Sequence, residues 1–202
     1  PTRRSSDLLR VGRRLLAHTP PDKLDERVFE IVSQLNRGVE LVTDRGELDA
    51  IAELNLRAAK RAKAATAYVT ALAFLKTGAA ILGADSWSRN RSLSFRLAFE
   101  QGECEFLTGE LEVADARLAR LVEHVVDVVE DATVASLRVL LHVTRGDPSR
   151  SVEVCLEYLA RAGIHFSLHP SPEDARVEHQ RLLRALGDRS VEALLHLPEC
   201  SD

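Results

Sequence analysis

The 202-residue chain has no methionine, one tryptophan, two tyrosines and six phenylalanines, so aromatics make up 4% of it. A core without aromatic bulk has to be assembled from Leu, Val and Ala. That suits close helix packing better than a β-sandwich, which draws on β-branched and aromatic alternation. Cysteine is scarce too: Cys104, Cys155 and Cys200 are an odd number with no close pair. This fits a reducing, cytoplasmic compartment and not a disulfide framework. No run approaches the roughly 20 apolar residues that span a bilayer; the most apolar window, Thr70 to Ala84, is interrupted by Lys76. The arginine-bearing start is not followed by the apolar segment of a signal peptide. With no initiator methionine in sight, the expectation is a piece of a longer protein. A net charge of −4 and a pI near 6.0 disfavour a dedicated nucleic-acid binder.

What is present is helical periodicity. Leu8, Val11, Leu15 and Leu16 fall on one helix face. Leu24, Val28, Ile31, Val32, Leu35 and Val39 repeat the pattern, as do Leu48, Ile51, Leu54, Ala58 and Ala62. The cleanest stripe is Tyr68, Ala71, Leu72, Leu75, Ala79 and Leu82. Later ones run from Leu111 to Val125, from Val152 through Cys155 and Leu156 to Leu159, and over Leu182, Leu183 and Leu186. Such a period buries one face of each helix. Pro20-Pro21, Asp44-Arg45-Gly46-Glu47 and Ser171-Pro172-Glu173-Asp174 punctuate the helices, the last as N-cap, proline at the first helical position and acids in the first turn. Gly163 to Pro170 reads as the longest loop. The expectation is an all-α chain of about ten helices forming one continuous domain, 1–202.

Three turns look alike: Ala65-Thr66-Ala67-Tyr68, Thr108-Gly109-Glu110-Leu111 and Arg145-Gly146-Asp147-Pro148. Each is followed, three residues on, by a small side chain: Ala71, Ala114 or Ser151. Spacings of 43 and 37 residues separate the turns. Ala59, Gly78 and Gly102 add small positions where helix axes have to approach closely. This resembles a divergent form of the tetratricopeptide repeat, whose unit is about 34 residues. The fold it implies is antiparallel helix pairs stacked as a right-handed superhelix.

A more specific likeness rests on Val11-Gly12-Arg13-Arg14-Leu15-Leu16, Thr19-Pro20-Pro21, the run Glu26 to Gly38, the run Ala52 to Ala59, Lys63-Ala64 and Ala67-Tyr68. These resemble the helical-repeat region of large bacterial multidomain signalling proteins. In that family a protein-kinase-like domain and an AAA-type ATPase precede the helices, and GAF and sensor histidine-kinase domains often follow. The likeness is strongest from Val11 to Leu82 and looser to Leu197; Pro148 and Ser151 stand where an aromatic and an alanine are expected. It implies a scaffold between an ATPase module and a kinase module.

No catalytic motif emerges. Gly78 to Gly83 has the glycine spacing of a phosphate loop but lacks the following Lys-Ser/Thr. His165 and His169 are four apart, yet Gly163 and Pro170 bracket them out of a helix, and no His-Glu-x-x-His occurs. His124 lacks a phosphoacceptor context. Cys104 lies between Glu103 and Glu105, which would raise a thiol pKa. The expectation is therefore a fragment that is not an enzyme, with no cofactor and no metal.

Candidate contacts remain. Arg57, Lys60 and Arg61 share a helix face in the densest basic cluster and are candidates for contact with an acidic peptide or a flanking domain of the parent protein. Gln34, Asn36 and Asn55 are amides beside apolar stripes, candidates for hydrogen bonds between helices. The expected function is an interaction scaffold or regulatory segment, without nucleic acid or membrane and compatible with a homodimer; the alternative is a sensor that binds a small molecule to control the parent ATPase or kinase.

Overall fold

The computed structural model describes residues 3–187; ten α-helices and three 3-10 turns lie among them, and no strand does. Contacts divide the chain into two compact units, Pro1–Tyr158 and Leu159–Asp202. In the first, α1 (Arg3–Ala17) packs on α2 (Leu24–Gly38), α3 (Arg45–Ala64) on α4 (Tyr68–Leu82), and α6 (Arg91–Leu107) on α7 (Leu111–Leu121). A one-turn α5 (Ser86–Arg89) precedes α6. α8 (Val128–Thr144) packs on α7 and is followed by α9 (Pro148–Arg161). The second unit contains α10 (Pro172–Leu186), which opens with a capping box between Ser171 and Asp174.

The three turns that look alike in sequence have one construction. Thr66, Gly109 and Gly146 hold φ of 59°, 85° and 75°. In each turn the next residue's N–H reaches back five positions: Ala67 to Ala62 O (2.9 Å), Glu110 to Glu105 O (2.8 Å), Asp147 to His142 O (2.9 Å). This is the Schellman closure, which satisfies carbonyls that the helix end would leave orphaned. The same three residues then open the returning helix, their carbonyls accepting from the N–H of Ala71, Ala114 and Ser151. Those small residues are buried, because there the returning helix crosses the outgoing one and a larger side chain would hold the axes apart.

The outgoing helices share a start as well. Asp44 accepts from the N–H of Glu47, Asn90 from that of Leu93, and Asp127 from those of Val129 and Glu130. Each thus caps α3, α6 or α8. Before two of these caps the sequence repeats: Val39-Glu40-Leu41-Val42-Thr43-Asp44 and Val122-Glu123-His124-Val125-Val126-Asp127 each form a 3-10 turn, an extended residue and the cap. In the first unit α1 with α2, α3 with α4, and α6 with α7 thus form packed helical hairpins. Helices α3 and α4 run antiparallel, with Asn55 opposite Gly78 across the turn at Thr66; α6 and α7 do likewise, with Gly102 opposite Leu118.

Glycine sets how closely these pairs meet. A Cβ on Gly38 would stand 2.7 Å from both Leu9 Cβ and the Ser5 carbonyl, and one on Gly102 would stand 2.9 Å from Leu118 Cδ2. The core is a row of three clusters. One lies among α1, α2 and α3 around Val28, Ile31 and Leu35, the next around Leu56, Leu75 and Leu97, the last around Leu118, Leu121 and Leu141.

Expected helix faces depart from burial in three places, although on α1 Leu15 and Leu16 do pack against the core. On α1, Val11 is 44% exposed, while Leu9 and Gly12 face inward because Gly12 lets Leu35 of α2 come close. On α9, Val152 and Cys155 are exposed and Ser151 and Val154 are buried; the turn at Gly146 fixes Ser151 at the crossing, and the buried face follows from it. On α10, Leu182 and Leu183 are exposed, so the apolar periodicity there does not coincide with burial.

Candidate functional site

Ion pairs link α3 to the segment that follows its hairpin, one to α5 and three to α6, with partners about forty residues apart. Asp49 pairs with Arg89 (2.6 Å), Glu53 with Arg96 (2.7 Å), Lys60 with Glu100 (3.3 Å) and Lys63 with Glu103 (2.6 Å). The separations are 40, 43, 40 and 40 residues. Arg13 with Glu47 (2.6 Å) extends the ladder toward α1, and Arg91 with Glu130 toward α8. The Glu53–Arg96 rung is well exposed, where an ion pair is worth about 0–1 kcal/mol and mainly selects the register; the other rungs are half-buried on at least one side. Lys63 differs: burial pushes its pKa down, yet hydrogen bonds to Glu100 (2.5 Å) and Glu103 outweigh this and raise it. At Asp49 the hydrogen bond from Arg89 holds the carboxyl below its ordinary value, against a burial penalty and with help from Asn90.

Beside this ladder runs a groove of about 500 Å³. Leu16, Leu24, Leu54 and Leu56 supply its apolar surface, from α1, α2 and α3. Its polar edge carries three cations, Arg57, Lys60 and Arg96, against one carboxylate, Glu53. Arg96 comes from α6, and the other lining residues come from α1, α2 and α3.

Two of the candidate contact cations, Arg57 and Lys60, therefore stand at the groove. Arg57 donates to Asp25, which raises its own pKa and lowers that of Asp25. Lys60 keeps 49% of its side chain exposed at the far end of its 3.3 Å pair. Arg61 faces elsewhere: its guanidinium lies 5.2 Å over the Phe29 ring, which stacks on Phe74 at 5.7 Å. Its buried Nη1 has no hydrogen-bond partner.

Of the candidate amides, Asn36 and Asn55 exchange two hydrogen bonds, each Nδ2 donating to the other's Oδ1 at 2.9 Å. Asn55, fully buried, also donates to Ile51 O. The pair ties α2 to α3 with three of the four amide protons used and each oxygen accepting once, and it fixes their register. Gln34 lies apart from it; its buried Oε1 has no hydrogen-bond partner.

Residues tested for chemistry fall in separate places. His124 ends a 3-10 turn and stacks on Trp87 at 4.0 Å. His165 and His169 lie in the loop between α9 and α10. Among the described residues no group of His, Cys, Asp and Glu is arranged to hold a metal. Cys104 is fully buried, and its thiol is pushed up to about 11, first by burial and only then by Glu100, Glu103 and Glu105 against an opposing Lys63. Among the described residues no helix is long and apolar enough to cross a membrane.

The chain is similar to the hybrid signal transduction histidine kinase G of Dictyostelium discoideum, with 21% identity over 178 residues. The match takes in 84% of this chain and 5% of that protein. No family model matches the chain, and no solved structure does. The likeness supports a signalling association; since this relative is from Dictyostelium, it does not carry the bacterial setting of the resemblance noted in the sequence.

Proposed function

We propose that this chain is a non-catalytic scaffold segment of a larger cytoplasmic signal-transduction kinase, a divergent tetratricopeptide-like stack coiled as a right-handed superhelix. Its groove beside the ion-pair ladder takes an acidic segment of a flanking domain of the parent. The observation that carries the reading is the ladder itself. Rungs whose partners lie about forty residues apart link α3 to α5 and α6, and stacked helix pairs of this kind present a continuous binding surface. The groove they border has apolar walls and an excess of cations, which suits an amphipathic segment with acidic residues. The likeness to a histidine kinase supplies the signalling context. The resemblance to helical regions flanked by kinase-like, AAA-type and GAF modules supplies candidate neighbours.

The test is calorimetric titration of the chain with the separately prepared flanking domains of its parent. Lys60→Glu together with Arg96→Glu should weaken binding by about tenfold or more, since each reversal turns an attraction into a repulsion. The melting temperature reads whether the fold survives. Undiminished binding by a folded double variant would remove the groove from the reading.

A further inference from the structure

We propose a second site, separate from the groove, that binds a small organic anion: a compact apolar or planar body carrying one phosphate or carboxylate. It occupies a cavity of about 420 Å³ between the hairpins α3/α4 and α6/α7.

The first ground is a departure from the repeat. Two connections between hairpins use the same six-residue pattern, Val39 to Asp44 and Val122 to Asp127. The connection between α4 and α6 does not. There Gly83, at φ 80°, turns the chain out of α4, and the extra one-turn α5 carries Trp87, the chain's one tryptophan. Trp87 lies flat on His124 with 15° between the planes, and the stacked pair forms one wall. The insertion pairs Arg89 with Asp49 and packs Trp87 against the cluster around Leu118, yet the other two connections manage without any such helix.

The second ground is the charge of the lining. Arg117, Arg120, His124 and Gln101 line the cavity together with Ser86 and Ser94, and no carboxylate lines it. Arg117 is fixed from behind by a bidentate bond to Glu105 (2.8 and 2.7 Å), whose side chain is only 3% exposed. Arg120 has no carboxylate partner among the described residues; its Nε donates to Ala116 O at 3.1 Å. Gln101, buried, is oriented by donating to Leu75 O. A guanidinium presents planar paired donors that suit a carboxylate or phosphate.

The end of α4 also reaches the cavity, and free carbonyls there would repel an anion. Three of them are engaged: Ala79 O accepts from Gly83 N–H, Leu82 O from Arg89, and Gly83 O from Ser86 N–H. Leu82, Leu97 and Leu121 supply the apolar remainder. A pocket of this size with a few convergent polar groups is the common form of a small-ligand site.

The one tryptophan makes the site self-reporting. The whole chain is titrated with phenyl phosphate, benzoate, benzyl alcohol and inorganic phosphate while Trp87 fluorescence is excited at the red edge, so that the tyrosines stay dark. The expected result is a saturable change with phenyl phosphate or benzoate, the tighter of the two assigning the headgroup. Benzyl alcohol and inorganic phosphate should bind at least about tenfold more weakly, each lacking one half of the recognition. Arg120→Gln should weaken the better probe by about tenfold, the usual effect of losing one charge-assisted bond. Ala98→Leu, which fills the cavity, should abolish the response; if that variant does not fold, Arg120→Gln decides alone. A linear, non-saturating response, equal binding of benzyl alcohol, or an unchanged affinity in Arg120→Gln would each overturn the site. None of these outcomes bears on the groove.

Discussion

Thr66 is the residue where the repeat is least comfortable. The two equivalent turns place glycine in the left-handed region, and Thr66 holds φ 59° with a β-branched side chain. A β-branched residue in that region is strained by about 1–2 kcal/mol, whereas glycine adopts it freely. Glycine also widens the unfolded ensemble, which takes back roughly half of the gain. Thr66→Gly should therefore stabilise the chain by about 0.5–1 kcal/mol, read from urea midpoints at constant slope. A destabilised variant would mean that the Thr66 side chain makes contacts outweighing its backbone. The position was readable as a turn because Ala65-Thr66-Ala67 aligns with two glycine turns. That it needs a left-handed residue was readable only through the alignment, since threonine itself carries no such signal.

Among elements, the outgoing helices are coupled most firmly where Lys63 of α3 meets Glu100 and Glu103 of α6. Glu100 keeps only 11% of its side chain exposed. Replacing Lys63 by Met leaves that carboxylate only its looser 3.3 Å pair with Lys60, at a cost of about 1–2 kcal/mol, because a largely buried charge loses its main partner. Glu100→Gln removes that under-compensated charge, so Lys63→Met with Glu100→Gln should be milder than the sum of the singles by about 1 kcal/mol. Additivity within a few tenths of a kcal/mol in chemical denaturation would show that the helices are held by packing alone.

The rungs of this ladder were not legible in the sequence. Their partners lie about forty residues apart, and only an established register brings Arg96 to Glu53. The helices and hairpin turns were legible, because apolar spacing, left-handed closures and small crossing residues are local signals. The same locality misled on α9. Val152 and Cys155 look like a buried stripe, but Ser151, fixed by the preceding turn, decides which face turns inward. Asn90 and Asp127, the caps of α6 and α8, were within reach, since each stands at the start of an apolar period, as Asp44 does. The groove and the Trp87 cavity both gather residues from several helices, and no window of the sequence contains either.

At the scale of the whole first unit, the core is a row rather than a sphere. The cluster around Ile31 adjoins the one around Leu75, with Phe74 and Ile81 packed against both, and the cluster around Leu118 and Leu141 follows beyond α6. Arrays in which each hairpin touches mainly its neighbours open from an end, and a lesion is felt locally before it is felt globally. Leu141, fully buried in α8, is the place to test this. Leu141→Ala removes side-chain volume from the last cluster and should cost about 3 kcal/mol there. Hydrogen exchange read by mass spectrometry should then show faster exchange in α8 and the adjoining end of α7, while α3 and α4 keep their protection. Such a result would mean that the groove among α1, α2 and α3 can stay assembled while the far hairpin loosens, so binding and end-fraying are separable properties of one chain. A uniform loss of protection, equal in α3 and α8, would instead make the unit a single cooperative body and its row of clusters one core.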